Sequence, residues 1–276
     1  GNQRFNDEDQ VQIVVVSGKV RITNVSKTEN QYFVSLWDAS LFGVDICGGK
    51  ADRLSRLKII GFQVPHGSVL TTKVFEEIII KLGYNNPVSI NQYPELYSKL
   101  ANPSQGILSL VEDTIKDYRQ SGRLFSSRSS ATIEDDSRDS MAGKFETYLS
   151  VEGNDLARKV IQVIQSAFST QISNHIKSTN LLLANKMKMA VILQEMVPAR
   201  CAGVIFGAKA QTGDLDIVEI EANQGLGEGI VSGKAQEIEQ YIFSRSEMRI
   251  VERKGPEILK QPEAKALFSL SERLRS

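Results

Sequence analysis

The sequence predicts an α+β fold built from two lobes, and three observations carry that expectation. Apolar residues recur at helical spacing through much of the stretch between residues 51 and 186. From residue 189 the period shortens to that of strands, in MAVILQEMV (189–197), CAGVIFG (201–207) and LDIVEIEA (215–222). No internal repeat is visible, and a helix-rich first part followed by a sheet-rich last third is the pattern of an α+β protein.

Taken in order, residues 11–16 (VQIVVV) and 19–25 (KVRITNV) read as a hairpin across Ser17-Gly18. Residues 24–30 are polar and read as a loop, and 31–37 as a further strand. A helix starts at Gly48-Gly49, with Ala51, Leu54, Leu57 and Ile60 on one face, and Gly61 ends it. A strand over 68–70 leads into a helix through Val74, Phe75, Ile78 and Ile79 that closes near Gly83. Pro87 and Pro94 punctuate the next stretch. One amphipathic helix is expected over 107–120, stopped by Gly122, and a strand opens at Leu124-Phe125. Residues 155–168 read as a helix, with 171–186 continuing it or forming a second one. Strands alternate with turns from 189 onward, two more fall within 240–252, and 263–274 form a terminal helix.

Composition narrows the class of function. The chain of 276 residues is 41% hydrophobic and 24% charged, enough for a sizeable core. Lys+Arg and Asp+Glu are both 33, so bulk charge directs the chain to neither nucleic acid nor membrane. Cys47 and Cys201 stand far apart, without ligand spacing, and read as reduced thiols of a cytoplasmic protein. His66 and His175 are equally isolated, which argues against a zinc site or a histidine-centred triad. No apolar run is long enough to span a bilayer.

Four segments carry candidate chemistry. In FSSRSSATIEDDSRDSMAGKFET (125–147), Arg128 stands among small hydroxyl residues, and Ala142-Gly143-Lys144 follows an acidic turn. A forked permanent cation beside small donors suits a polyanion, and glycine lets backbone amides close over phosphate oxygens. Glu134, Asp135 and Asp136 read as a solvated turn rather than as metal ligands, so no metal ligand is assigned. Cys47-Gly48-Gly49-Lys50 opens a helix, where unpaired amides and a lysine together favour an anion. Gln194-Glu195-Met196-Val197 ends an apolar strand and suits a flat heteroaromatic ring. In IEANQGLGEGIVSGK (220–234) the glycines make a crossing, with Glu221 and Glu228 as polar anchors. The register is wrong for a dinucleotide fingerprint and no βαβ unit follows. Taken singly, each segment has a plain reading as a turn, a loop or a core strand.

As a set the segments resemble the ATP-grasp nucleotide-binding domain of the pyruvate phosphate dikinase and phosphoenolpyruvate synthase family, to which rifampin phosphotransferase also belongs. GGKADRL, VPHGSVLTT, RSSATIEDDSRDSMAGKFETYLSVEG, MAVILQEMV, AGVIFGAKAQTGD and IEANQGLGEGIVSGK stand in the family's order, from about residue 36 to the C-terminus. Residues 1–35 fall outside the resemblance, as an N-terminal extension with the hairpin. It implies a two-lobed ATP-grasp domain over 36–276, with lobes of about 36–188 and 189–276. It further implies that Lys50 and Arg128 bind the ATP phosphates, Arg128 nearest the transferred group. Ala142, Gly143, Lys144 and Thr147 would form the small loop over the phosphates, and Gln194, Glu195, Met196 and Val197 would hold adenine.

The implied function is the ATP-binding part of a phosphotransferase, with Mg²⁺ accompanying ATP and phosphate passing to a carrier histidine or small acceptor on other domains. A nucleotide-sensing module without turnover is the alternative. Departures from the family pattern are Lys144 where glutamine is usual, Lys209-Ala210 where Asp-Pro is frequent, and His66 in the VPxG turn, where it reads as structural. The family's acidic Gln-Asp-x-Glu segment does not occur before Ser276, so the domain is expected to be C-terminally incomplete and inactive alone. His175 lacks the Thr-Ser-His setting of a carrier.

Overall fold

The computed structural model describes residues 11–16, 19–24, 31–133, 141, 143–179, 182–209, 211–231, 233 and 237–275. The expected loop over 25–30, the hairpin turn at 17–18, the acidic residues 134–136 and Ala142 lie outside them. The chain divides into two compact units, 1–196 and 197–276. Among the described residues no helix is long and apolar enough to cross a membrane.

β1 (Val11–Val16) and β2 (Lys19–Asn24) pair antiparallel, with Ile13 opposite Ile22. The first unit then runs through β3 (Phe33–Ser35), α1 (Ala39–Phe42), α2 (Val44–Ile59), β4 (Gly67–Leu70) and α3 (Thr72–Lys81). α4 (Tyr93–Ala101), α5 (Gln105–Thr114) and α6 (Lys116–Arg119) precede β5 (Phe125–Ala131) and β6 (Thr147–Val151). α7 (Gly153–Ser166), α8 (Thr170–Thr179) and α9 (Leu182–Lys186) lead back to β7 (Met189–Glu195).

Strand order in this unit is β3-β4-β7-β5-β6, antiparallel at every pairing. β7 lies in the middle, and its unbroken apolar run has a simple cause: both faces are covered. Met189, Val191 and Leu193 enter a large core with Phe75, Ile78, Val160 and Phe168. Ala190 and Ile192 enter a smaller core with Cys47 and Ala51 of α2. The side-chain period of two therefore hands alternate residues to two sets of helices. Because β7 pairs with β4 and β5, it belongs to the first unit. The compact units divide at the step from Met196 to Val197, where the expected lobes were about 36–188 and 189–276.

Smaller expectations also shift. The strand expected over 31–37 is three residues long and passes into a 3-10 turn at Leu36–Asp38, where Ser35 Oγ accepts from the Trp37 amide. The helix expected over 107–120 breaks at Ile115, whose φ of −109° is not helical. Pro94 does not punctuate: it sits in the first turn of α4, where its missing N–H costs nothing.

The second unit comprises β8 (Cys201–Phe206), β9 (Ile217–Gln224), α10 (Glu228–Val231), β10 (Glu239–Ser244), β11 (Arg249–Lys254) and α11 (Gln261–Arg275). Its sheet runs β11-β10-β9-β8, all antiparallel. One face packs on α11 through Val218, Ile220, Tyr241, Phe243 and Phe268, the rings of Phe243 and Phe268 stacking at 4.8 Å. The glycine-rich crossing expected over 225–233 contains the short helix α10.

Glu239 is fully buried and ties this unit together. Its carboxylate accepts from the amides of Ile258 (2.8 Å) and Leu259 (2.6 Å) and from Arg253 Nε (2.7 Å). Burial alone would raise its pKa. The donors from Leu259, Arg253, Ile258 and Tyr241 outweigh burial and hold it below the ordinary value of 4.5. A depressed carboxylate contributes stability that is complete above the unfolded pKa and is lost as pH falls through the folded one. Glu239→Gln should therefore cost about 2 kcal/mol at pH 7. In urea titrations followed by circular dichroism, the gap between wild type and variant should narrow below about pH 4.5. A gap that stays constant into acid would show that the charge contributes nothing.

Candidate functional site

The site begins with a break in a helix. Within α2, Gly48 has φ 73° and ψ 164°, so the regular helix restarts at Gly49. Only glycine fits: a Cβ there would lie 1.9 Å from the carbonyl oxygen of Ser130 on β5. In an unbroken helix the Ala51 amide would donate to the Cys47 carbonyl, four residues back. Here Ser130 Oγ stands between them, donating to Cys47 O at 2.8 Å and accepting from Ala51 N at 3.0 Å. A side chain inserted into the ladder is a recognised cause of a sharp kink. The kink directs Lys50 onto β5, where Nζ donates to Ser129 O (2.9 Å) and Oγ (3.4 Å). Burial, and secondarily Asp52, push the Cys47 thiol up to about 12, so it stays protonated at neutral pH.

β5 carries the second cation. Arg128 is half-buried in a strand whose other residues are buried. It stands opposite Ile192 on β7 and Thr147 on β6, which puts Thr147 on the same face. Its Nη1 donates to Gln194 Oε1 at 3.2 Å. Gln194 is buried, and its Nε2 donates to Pro65 O at 3.3 Å. Ser126 Oγ donates to the Gln194 carbonyl at 3.3 Å. Before β6, Gly143 is exposed with φ 72°, and the half-buried Lys144 closes a turn through its amide to Met141 O at 3.2 Å.

Past Gln194 the strand runs out through residues already bonded to their neighbours. Glu195 N donates to His66 O at 2.9 Å and Met196 N to Leu124 O at 3.0 Å. The Glu195 carboxylate accepts from Arg123 Nη1, and His66 Nδ1 lies 3.7 Å from it. The His66 ring meets Trp37 edge-on at 5.2 Å, so this histidine helps pack the turn before β4. Val197 opens the second unit and is exposed.

Of the residues singled out from the sequence, Lys50, Arg128, Thr147 and Gln194 therefore gather about β5 in the first unit. Glu195 and Met196 continue from that cluster, and Gly143 and Lys144 belong to the loop before β6. Glu221, in the second unit, accepts from Gln240 Nε2 at 3.5 Å. Sequence reading missed Ser130, whose partners lie 79 and 83 residues away. The signal was present as the second serine pair of FSSRSSA, but local pattern cannot name so distant a partner.

Two cations, a hydroxyl and helix-start amides form a donor set for a polyanion. Among the described residues no group of three or more His, Cys, Asp or Glu converges to hold a metal ion.

Comparison with known proteins matches residues 44–258 to the family described as pyruvate phosphate dikinase, AMP/ATP-binding domain. A probable phosphoenolpyruvate synthase of Staphylothermus marinus is 30% identical over 255 residues, covering 84% of this chain and 30% of that protein. The phosphoenolpyruvate synthase of Aeropyrum pernix is 31% identical, covering 75% of this chain and 28% of that protein. A rifampicin phosphotransferase of a Streptomyces species is 29% identical, covering 72% and 25%. The chain thus spans a third or less of the length of these relatives.

Ser130→Ala should expose the cost of the inserted hydroxyl. It leaves the buried Ala51 amide and Cys47 carbonyl without their partner, at about 2 kcal/mol. Gly48→Ala adds a backbone clash and a strained φ and should cost more. Equilibrium urea unfolding of both variants checks the order. A Ser130→Ala protein as stable as wild type would mean that the helix closes the gap unaided.

Proposed function

The chain belongs to the pyruvate phosphate dikinase AMP/ATP-binding domain family, and we propose that it holds ATP on the face of its first unit that carries Lys50, Arg128, Thr147 and Gln194. Lys50 and Arg128 meet the phosphates, Lys50 as a compact point charge and Arg128 as a fork for paired oxygens nearest the transferred group. Gly143 and Lys144, in the loop before β6, and Thr147, at the start of β6, would close over the phosphate chain. The backbone from Gln194 to Val197 takes the adenine. The observation that carries this reading is the convergence of two cations, distant in sequence, on successive residues of β5: Lys50 at Ser129, and Arg128 itself.

Phosphoryl transfer leaves the protein little covalent chemistry, so positioning and charge neutralisation are its contribution. Mg²⁺, a hard cation, would supply counter-charge to the polyphosphate and would be held chiefly by the nucleotide; among the described residues no acidic or histidine cluster stands ready to hold it. Contacts from Lys50 and Arg128 to phosphate oxygens would be charge-assisted, and such hydrogen bonds are roughly twice as strong as neutral ones. The relatives are longer than the stretch that matches this chain, which fits a domain that works beside others; phosphate would pass to a carrier histidine or small acceptor on such domains.

Isothermal titration should detect ATP binding in the presence of Mg²⁺, and saturating ATP should raise the melting temperature by mass action, with about 2.7 kcal/mol of stabilisation at a hundredfold excess over Kd. Arg128→Ala should weaken ATP by about 2 kcal/mol, roughly thirtyfold, and leave adenosine affinity unchanged. Equal losses for ATP and adenosine in a folded variant would make Arg128 structural.

A further inference from the structure

Gln194 opens the segment assigned to the base, yet its side chain turns toward the cation assigned to the phosphates. Arg128 is opposite Ile192, and Ser126 is opposite Gln194, so Arg128 and Gln194 are diagonal neighbours on one face of an antiparallel pair. Gln194 is 5% exposed, and chemistry decides which way its amide lies. The Pro65 carbonyl can only accept, and a guanidinium can only donate. Nε2 must therefore face Pro65 and Oε1 must face Arg128, as observed at 3.3 Å and 3.2 Å. The opposite orientation would set oxygen against oxygen and NH₂ against guanidinium. The backbone is pinned as well, because its carbonyl accepts from Ser126 Oγ and the following amide is bonded to His66 O. Turning the side-chain amide toward a base would break both of its hydrogen bonds inside a buried site.

We propose that Gln194 is a positioning residue for Arg128, aiming the guanidinium at the phosphate chain, and is not a side-chain contact of the base. This rests on the nucleotide reading of the site. A long arginine side chain loses rotamer freedom when it engages a ligand, and a fixed acceptor beside it takes up part of that ordering before ligand arrives. The same residue joins the two ends of the site: its backbone belongs to the base segment, and its amide holds the phosphate-side cation.

The test is a double-mutant cycle on the full chain, with calorimetric affinities for ATP with Mg²⁺ and for adenosine. Gln194→Met keeps the length and removes both hydrogen bonds. It should weaken ATP about tenfold and change adenosine less than about twofold, and in an Arg128→Ala background it should change ATP less than about twofold. Gln194→Glu keeps an acceptor but adds charge, which should lock the guanidinium in an ion pair. It should likewise weaken ATP and spare adenosine, and it decides the matter if the methionine variant fails to fold. Equal losses for ATP and adenosine would overturn the proposal, making Gln194 a base contact. An undiminished loss in the Arg128→Ala background would overturn it too, because the residue would then act without the arginine. A wild-type chain that binds adenosine but not ATP, or neither, would instead overturn the nucleotide reading beneath it.

Discussion

The kink in α2, held open by Ser130, is the constraint on which the candidate site depends. Without it the Cys47 carbonyl and Ala51 amide would close an ordinary helical turn, and Lys50 would follow the helix rather than lie along β5. Gly48 makes the close approach sterically feasible, and the serine hydroxyl makes it chemically neutral by serving as both donor and acceptor. Neither half works alone. A glycine without the hydroxyl leaves two buried backbone groups unbonded, and a serine facing a larger residue than glycine cannot approach.

That local arrangement is set in a sheet covered on both faces, and the two faces have different tasks. The side with Phe75, Phe125, Val160 and Phe168 is a large apolar core, which supplies most of the burial of this unit. The other side is a smaller apolar cluster under α1 and α2 that gives way, along β5 and the end of β7, to Ser126, Arg128, Ser130 and Gln194. Polar side chains are tolerable so deep because each finds a partner on a neighbouring strand or helix. The serines of FSSRSSA thus have small size and hydrogen-bonding capacity in common, and Ser126 and Ser130 use both.

The cations of the site share a further property. Lys50 donates to a carbonyl and a hydroxyl, and Arg128 donates to an amide oxygen. Those contacts fix where the two side chains lie along β5. In the second unit the buried Glu239 carboxylate is satisfied by two amides and an arginine, and it fixes the segment before α11.

How much of this was legible beforehand follows from the range of each interaction. Composition, helical and strand periods, and the order of the glycine- and serine-containing segments determined the α+β class, most elements, the family and the residues of interest, because each of these signals lies within a short stretch of chain. The same local signals could not show that MAVILQE is the middle strand of the first unit's sheet rather than the start of the second lobe, since strand neighbours are chosen by pairing across more than a hundred residues. They predicted one helix over 107–120 where Ile115 breaks it, because periodicity does not register a single non-helical residue. They marked Gly48, Arg128 and Gln194 but not the contacts that define them. Those contacts, Gly48 against Ser130 and Gln194 between Pro65 and Arg128, exist only once distant segments are packed face to face, and that packing is what the tertiary structure alone decided.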